Sequence, residues 1–290
     1  MKNEAAASAA IERETQEQEI HDADPGLTRH ESERAVEHQR LSALTVFAII
    51  RREGDEELHR PLLSLWWSGV AAGIGISSSV LAQGILTTAL AGQPQADLIA
   101  KLGYTVGFVL VILSRLQLFT ENTLSVVLPA LSDPSRKRFV RWARLWAVVL
   151  AANLVGTLAT AWFSWQFSTY WPDHLEGMLT VSRHAAEPAG LSAMLLGIPA
   201  GFFIAALVWM LPSAKGFELP VIIMFTWLIA AGDFTHVIAG STEMFLLAFN
   251  GELGFAEALL LHLLPTLAGN IIGGTGLFAM LAYGQIHAEI

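Results

Sequence analysis

From residue 62 onward the chain is dominated by six apolar stretches, each long enough to cross a lipid bilayer, at about 62–85, 97–131, 141–167, 189–211, 217–248 and 255–283. A helix needs roughly 20 mostly apolar residues to span the hydrocarbon core. There every backbone polar group must find its partner within the protein, so runs of this length predict α-helices. Only 15% of the residues are charged, against about a quarter in soluble domains, and many of the charges crowd into residues 1–60. Residues 1–40 lack the apolar core of a signal peptide and are expected to form a retained, charged, disordered cytoplasmic tail. The net charge of −9 describes this tail and the loops, and implies no nucleic acid or other charged partner. With no cysteine, disulfides, thiol catalysis and Cys-ligated metals are excluded.

The run 41–50 is too short to cross and is followed at once by Arg51 and Arg52. Residues 41–60 therefore predict an amphipathic helix on the membrane surface, and 61–290 a transmembrane channel domain. Loop charge gives the orientation. Arg136, Lys137, Arg138, Arg141 and Arg144 follow the second span, Lys215 lies on the same side, and Arg51, Arg52 and Arg60 precede the first. The opposite loops at 93–97 and 250–254 carry no Lys or Arg, and the outer loop 168–188 has Arg183 alone. Positive charge stays inside, which places both termini in the cytoplasm.

A weak internal repeat divides the membrane part into about 61–167 and 189–283. LAANLVGTLATAWF from Leu150 parallels LAGNIIGGTGLFAM from Leu267, aligning Asn153 and Gly156 with Asn270 and Gly273 at an offset of 117. LFTENT from Leu118 parallels DFTHVI from Asp233, with Phe119-Thr120 matching Phe234-Thr235 at an offset of 115. Three spans per half is an odd number, so the second copy must be inverted in the membrane. Inverted repeats predict a transport fold with its site at the midplane, between the repeats.

The second and fifth spans exceed one crossing and both are interrupted, the second by Arg115, Gln117, Thr120, Glu121 and Asn122, the fifth by Asp233, Thr235 and His236. A charged residue at the centre of a spanning helix costs about 2.5–3.5 kcal/mol. Breaking the helix accounts for that cost, since irregular backbone is tolerated where it lines a cavity. Each second half-helix would then aim its free N–H groups at the midplane, where they favour an anion or a lone pair.

Each candidate has two readings. His236 either exchanges protons or contacts a solute in the pore, or is a satisfied buried hydrogen-bonder. Thr120 either bonds the solute or the histidine, or caps the second half-helix. Glu121 is favourable in a first helical turn and is expected to pair with Arg115; facing a pore, it would instead select against anions. Asn153 and Asn270, like Arg115 and Asp233, read as structural residues at the breaks. Asp233, His236 and Glu243 fix no third ligand, so no metal is expected, nor any cofactor. No nucleophile clusters with these groups, which argues against an enzyme. Gly69, Gly73, Gly75, Gly197 and Gly201 read as close-packing points.

LGYTVGFVLVILSRLQLFTENTLSVVLP (102–129), GIPAGFFIAALVW (197–209), FTHVIAG (234–240) and LPTLAGNIIGG (264–274) together resemble the formate/nitrite transporter family, most closely its YfdC-like branch. The resemblance covers about 60–283. It implies an all-α, aquaporin-like bundle of six transmembrane helices in two inverted three-helix repeats, with broken second and fifth helices. It also implies a homopentamer in lipid, in a bacterial inner membrane, with one pore per protomer. Leu118-Phe119-Thr120 would mark the break of the second helix, His236 the central pore histidine, and Tyr104, Phe108, Leu118 and Leu228 the apolar rings above and below it. The chain departs from the family at Glu121, where a small residue is usual, and at Gly201 and Gly240, where asparagines are usual, the first of them facing the pore. Thr235 stands for a glutamate, and Arg115 and Gln117 for small and acidic residues. The family's outer-loop lysine has no counterpart, although Arg183 and His184 lie near that point. The expected function is passage of a small monovalent weak-acid anion such as formate or nitrite, with proton coupling. The departures motivate an alternative, a pore for a neutral or cationic solute with Glu121 setting selectivity.

Overall fold

The computed structural model describes Glu31 and residues 40–288, and every regular element among them is helical. The expected disordered tail at 1–40 therefore lies almost wholly outside the described residues. In chain order the helices are α1 (Ala43–Leu58), α2 (Leu62–Ala89), α3 (Ala96–Leu113), α4 (Asn122–Ser132), α5 (Arg136–Gln166), α6 (Pro172–Ala185), α7 (Leu191–Ala214), α8 (Glu218–Ala231), α9 (Val237–Phe249) and α10 (Phe255–Ile286). Five of them, α2, α3, α5, α7 and α10, are long and apolar enough to cross a membrane. The shorter apolar helices α4, α8 and α9 are the remaining pieces of the two interrupted stretches.

Both interruptions have the same backbone. α3 ends with Ser114 N–H on Leu110 O, Arg115 N–H on Ile112 O and Leu116 N–H on Val111 O. α8 ends with Gly232 on Leu228, Asp233 on Ala230 and Phe234 on Ile229. This is a Schellman cap, which requires a left-handed residue just past the helix. Arg115 (φ 54°) and Asp233 (φ 51°) occupy that position. Asp tolerates the left-handed region better than Arg, which carries the larger steric cost.

The shared cap corrects the register of the repeat. It equates Leu116 with Phe234 and Leu118 with His236, so the Phe119-Thr120 and Phe234-Thr235 match is three residues out of step with the backbone. The two asparagines agree with the cap. Asn153 Oδ1 accepts from Phe119 N–H at 2.9 Å, and its Nδ2 donates to Gln117 O and Gly69 O. Asn270 Oδ1 accepts from Val237 N–H at 2.9 Å, and its Nδ2 donates to Thr235 O and Gly197 O. Each amide therefore bridges a break to a neighbouring long helix with all its main hydrogen-bonding capacity used.

Close helix crossings put these amides in reach. A side chain at Gly73 would run into Asn153 O, and one at Gly201 into Asn270 O. Gly201 is thus a steric requirement of the α7–α10 crossing, and a pore-facing side chain does not fit there. α10 carries π-helical turns at Ala258–Leu263 and Ile272–Ala279, on either side of the segment bearing Asn270.

Two outer pieces differ from expectation. The apolar face of α1 meets protein: Val46, Phe47 and Ile50 pack in one core cluster with Leu124, Leu128, Ala205 and Ile286. Gly54 lets α1 approach the carbonyl of Ser125, and Arg144 donates to Leu58 O at 3.1 Å. Residues 168–188, expected as a loop, contain α6, which lies against α2 where Gly84 and Gly177 meet. Its buried residues Met178, Leu179 and Val181 were hidden in a sequence too short and mixed to read as a span.

Candidate functional site

Thr120 and His236 meet at the two breaks. Thr120 Oγ1 and His236 Nε2 are 2.8 Å apart and both residues are buried. His236 is the N-cap of α9, its Nδ1 accepting from Ala239 N–H at 3.2 Å. In a neutral imidazole one nitrogen accepts and the other donates, so this cap assigns the proton to Nε2, which donates to Thr120. The hydroxyl proton of Thr120 has no further partner among the described residues. Thr120 itself is not a side-chain cap: α4 starts with no side-chain cap bond.

Apolar side chains surround this pair. Phe108 stands edge-on to His236 at 5.1 Å between ring centroids, and Tyr104 lies 5.1 Å from Phe108. Leu118 and Phe119 are fully buried in the same central cluster. Leu228 is not among them; it is 37% exposed, while the adjacent Ile229 is wholly buried in that cluster. A one-residue shift on a helix turns the side chain by about 100°, and the apolar run of α8 gave no polar marker to set the phase.

On one side of His236 lies a cavity of about 410 Å³, lined by Tyr104, Gly240, Glu243, His262 and Thr266, with Lys101, His184 and Asp233 toward its mouth. Lys101 Nζ is buried between Asp233 Oδ1 at 2.9 Å and Asp97 Oδ2 at 3.1 Å. His184 Nε2 reaches Asp233 Oδ1 at 3.1 Å, and its Nδ1 reaches Glu187 at 3.2 Å. Burial works against the charge on His184, but the hydrogen bonds to Asp233 and Glu187 prevail and raise its pKa above 6.5. Asp233 therefore does more than end a helix, because it also ties α3 and α6 together at the cavity mouth. Arg183 points elsewhere, forking onto Glu252 at 2.8 and 2.9 Å. The sequence reading passed over Lys101. Its signal was a lysine inside an apolar span, four residues after an aspartate, where an ionisable residue marks function by default.

At the end of the bundle covered by α1, the expected ion pair between Glu121 and Arg115 is absent. Arg115 turns outward, its side chain 80% exposed, and pairs with Glu53 at 3.1 Å. The left-handed φ of Arg115 carries its side chain away from α4. Among the described residues, Glu121 Oε1 is buried without a hydrogen-bond partner. Nearby, Glu57 of α1 accepts from Gln117 Nε2 at 3.1 Å and from Ser125 Oγ at 3.0 Å, and Gln117 Oε1 accepts from Asn122 Nδ2. Burial raises the Glu57 carboxyl above its ordinary 4.5, and the two hydrogen bonds only partly offset this. Glu57 was missed because nothing in a short charged helix signals that one of its carboxylates is enclosed.

Comparison with known proteins agrees with this architecture. A family model described as formate/nitrite transporter matches residues 44–284. The inner membrane protein YfdC of Escherichia coli is 39% identical over 86% of this chain and 80% of its own length. The formate channel FocA of Haemophilus influenzae is 28% identical over 83% of this chain and 94% of its own. Two solved structures share the fold at TM-score 0.68. A pentameric formate channel with formate bound is 23% identical, covering 78% of this chain and 98% of that one. An FNT family ion channel is 19% identical, covering 85% and 98%.

Proposed function

Because the chain belongs to the formate/nitrite transporter family, we propose that it is a membrane channel or transporter passing a small monovalent weak acid, formate or nitrite in class, through a pore in each protomer. In this reading the membrane part is six crossings in two inverted repeats, the second crossing formed by α3 and α4 and the fifth by α8 and α9. Both termini lie in the cytoplasm, the membrane is a bacterial inner membrane, and five copies assemble around an axis. Support comes from the matched Schellman caps and asparagine bridges, and from the pentameric formate channel whose fold the chain shares. Outward-facing Leu63, Leu191 and Leu281, each about two-thirds exposed, suit contact with lipid or neighbouring protomers.

The observation that carries the functional reading is the Thr120–His236 pair, in which His236 lines the cavity and packs against Phe108. A bare anion cannot enter such surroundings cheaply, because desolvating it costs many kcal/mol. The same molecule carrying a proton has no net charge and can accept from the Thr120 hydroxyl, whose proton has no other partner among the described residues. Passage as the neutral acid makes flux rise as pH falls. Uptake of labelled formate and nitrite into liposomes, with and without an inward proton gradient, tests this directly.

A second reading is favoured by one observation, the partnerless buried oxygen of Glu121. If that carboxylate faces the permeation path, it repels anions and favours a neutral or cationic solute. Parallel flux of ammonium analogues and water separates the two.

A further inference from the structure

We propose that Glu243 is a proton-donating residue of the permeation path, from which an entering weak-acid anion takes its proton in the cavity before reaching Thr120 and His236. This rests on the weak-acid reading above and adds the group that supplies the proton. Glu243 lies two turns along α9 from His236, a spacing that puts both on one face of the helix, and both line the cavity. It is 6% exposed. One turn earlier stands Gly240, where an added methyl would sit 3.7 Å from Glu243 Oε2. The missing side chain leaves the carboxyl uncovered toward the cavity. Among the described residues no group hydrogen-bonds or ion-pairs with that carboxyl.

Other titratable groups facing this space are committed. Lys101 of α3 is held by Asp97 and Asp233. His184 of α6 is held by Asp233 and Glu187. His262 of α10 has Nδ1 against Pro188 O, so that nitrogen carries its proton and gives it to a carbonyl. His236 uses Nδ1 to cap α9 and Nε2 to hold Thr120, and releasing either costs a bond. The Tyr104 hydroxyl of α3 shares the cavity without a hydrogen-bond partner among the described residues, but a phenol is a weaker acid than a carboxyl by about six units. It serves to orient a solute by hydrogen bonding.

The step balances simply. The O–H bond of the Glu243 carboxyl breaks and an O–H bond forms on the anion oxygen. The neutral acid moves on, and the Glu243 carboxylate recovers a proton from hydronium of the outside solution, relayed by water at the mouth. One proton travels with each anion.

The full-length protein, wild type and E243Q, is reconstituted in liposomes, and uptake of labelled formate is followed across outside pH together with internal acidification by a trapped dye. Wild-type uptake is expected to rise as outside pH falls, with matching proton entry. E243Q is expected to lose about a hundredfold or more of the acid-side uptake, in the range that general acids contribute, and to flatten the profile. E243D, which keeps the carboxyl on a shorter stem, is expected to restore the slope, a readout that a structural role would not move. An active wild type with an unaltered E243Q profile overturns this proposal alone, as does a rise in formate uptake in E243Q, which would make the carboxylate a barrier. Where E243Q does not fold, a folded E243D whose formate uptake no longer rises as outside pH falls overturns it. A wild type inert toward weak acids overturns both this proposal and the reading beneath it.

Discussion

Thr120 Oγ1 and His236 Nε2 stand 2.8 Å apart, joining the second and fifth apolar stretches where both leave helical geometry. Because His236 Nδ1 caps α9, the proton on Nε2 is fixed by the fold. His236→Asn keeps a good capping residue and removes the imidazole. It leaves the Thr120 hydroxyl without its partner, so it should cost about 1–3 kcal/mol and lower formate flux while keeping the acid-side rise, measured in liposomes alongside a detergent melting curve. Thr120→Val is nearly isosteric but leaves a buried N–H unpaired, so it should cost about 1–3 kcal/mol. A melting curve unchanged from wild type would argue against that hydrogen bond.

Asn153 and Asn270 each hold three backbone groups, two in a broken segment and one in a neighbouring long helix. Replacing either with Leu strands those groups in a buried place, at about 1–3 kcal/mol apiece. Both variants are expected to lose monodisperse protein on purification. N153D should fail as well, since a carboxylate can serve the Phe119 N–H but faces two carbonyls with no donor. Normal yield and melting temperature in N153D would contradict the bridging role.

Arg115 and Glu121 are predicted to act independently. Arg115→Gly removes an exposed pair with Glu53, worth about 0–1 kcal/mol, and relieves a left-handed residue costing about 1–2 kcal/mol. Its melting temperature should stay level or rise. Glu121→Gln replaces a carboxylate whose Oε1 has no partner, so stability should not fall, and a change in anion flux would then report on selectivity. A large loss of stability in both single variants, and no further loss in the double, would restore the ion pair that the structure lacks.

The six apolar stretches and the two breaks were legible because the bilayer penalises any charge or bend placed without reason, so Arg115, Asp233 and His236 stand out. The pairing of Thr120 with His236 followed from a single residue of each break. The true register of the repeat did not, because Phe-Thr recurs in both halves by sequence alone, whereas the backbone equivalence is carried by caps that place Arg in one half and Asp in the other. Partner choice was also hidden. Glu121 and Arg115 are near in sequence, but a left-handed φ separates them. Leu228 and Ile229 are equally apolar, and only packing tells which faces inward. Lys101 and Glu57 were visible as charges, but their enclosure depends on α6 and α1 folding over the bundle.

Glu57 gives a prediction in pH. Burial raises its pKa in the folded protein, so the native state binds this proton more tightly than the unfolded chain does. The associated stability is present below the ordinary value of 4.5 and is lost as pH rises through the raised folded value. E57Q should therefore gain on wild type in thermal stability as pH climbs, with the difference vanishing in acid. Melts of both proteins across pH check this, and a constant difference would contradict it.

The central claim is that a small weak acid crosses this protein with a proton. The most direct measurement is uptake of labelled formate into liposomes bearing the wild-type protein, at fixed formate concentration and falling outside pH. Uptake is expected to rise as outside pH falls, accompanied by internal acidification. Uptake that is absent, or that follows the membrane potential at constant rate whatever the pH, would contradict it.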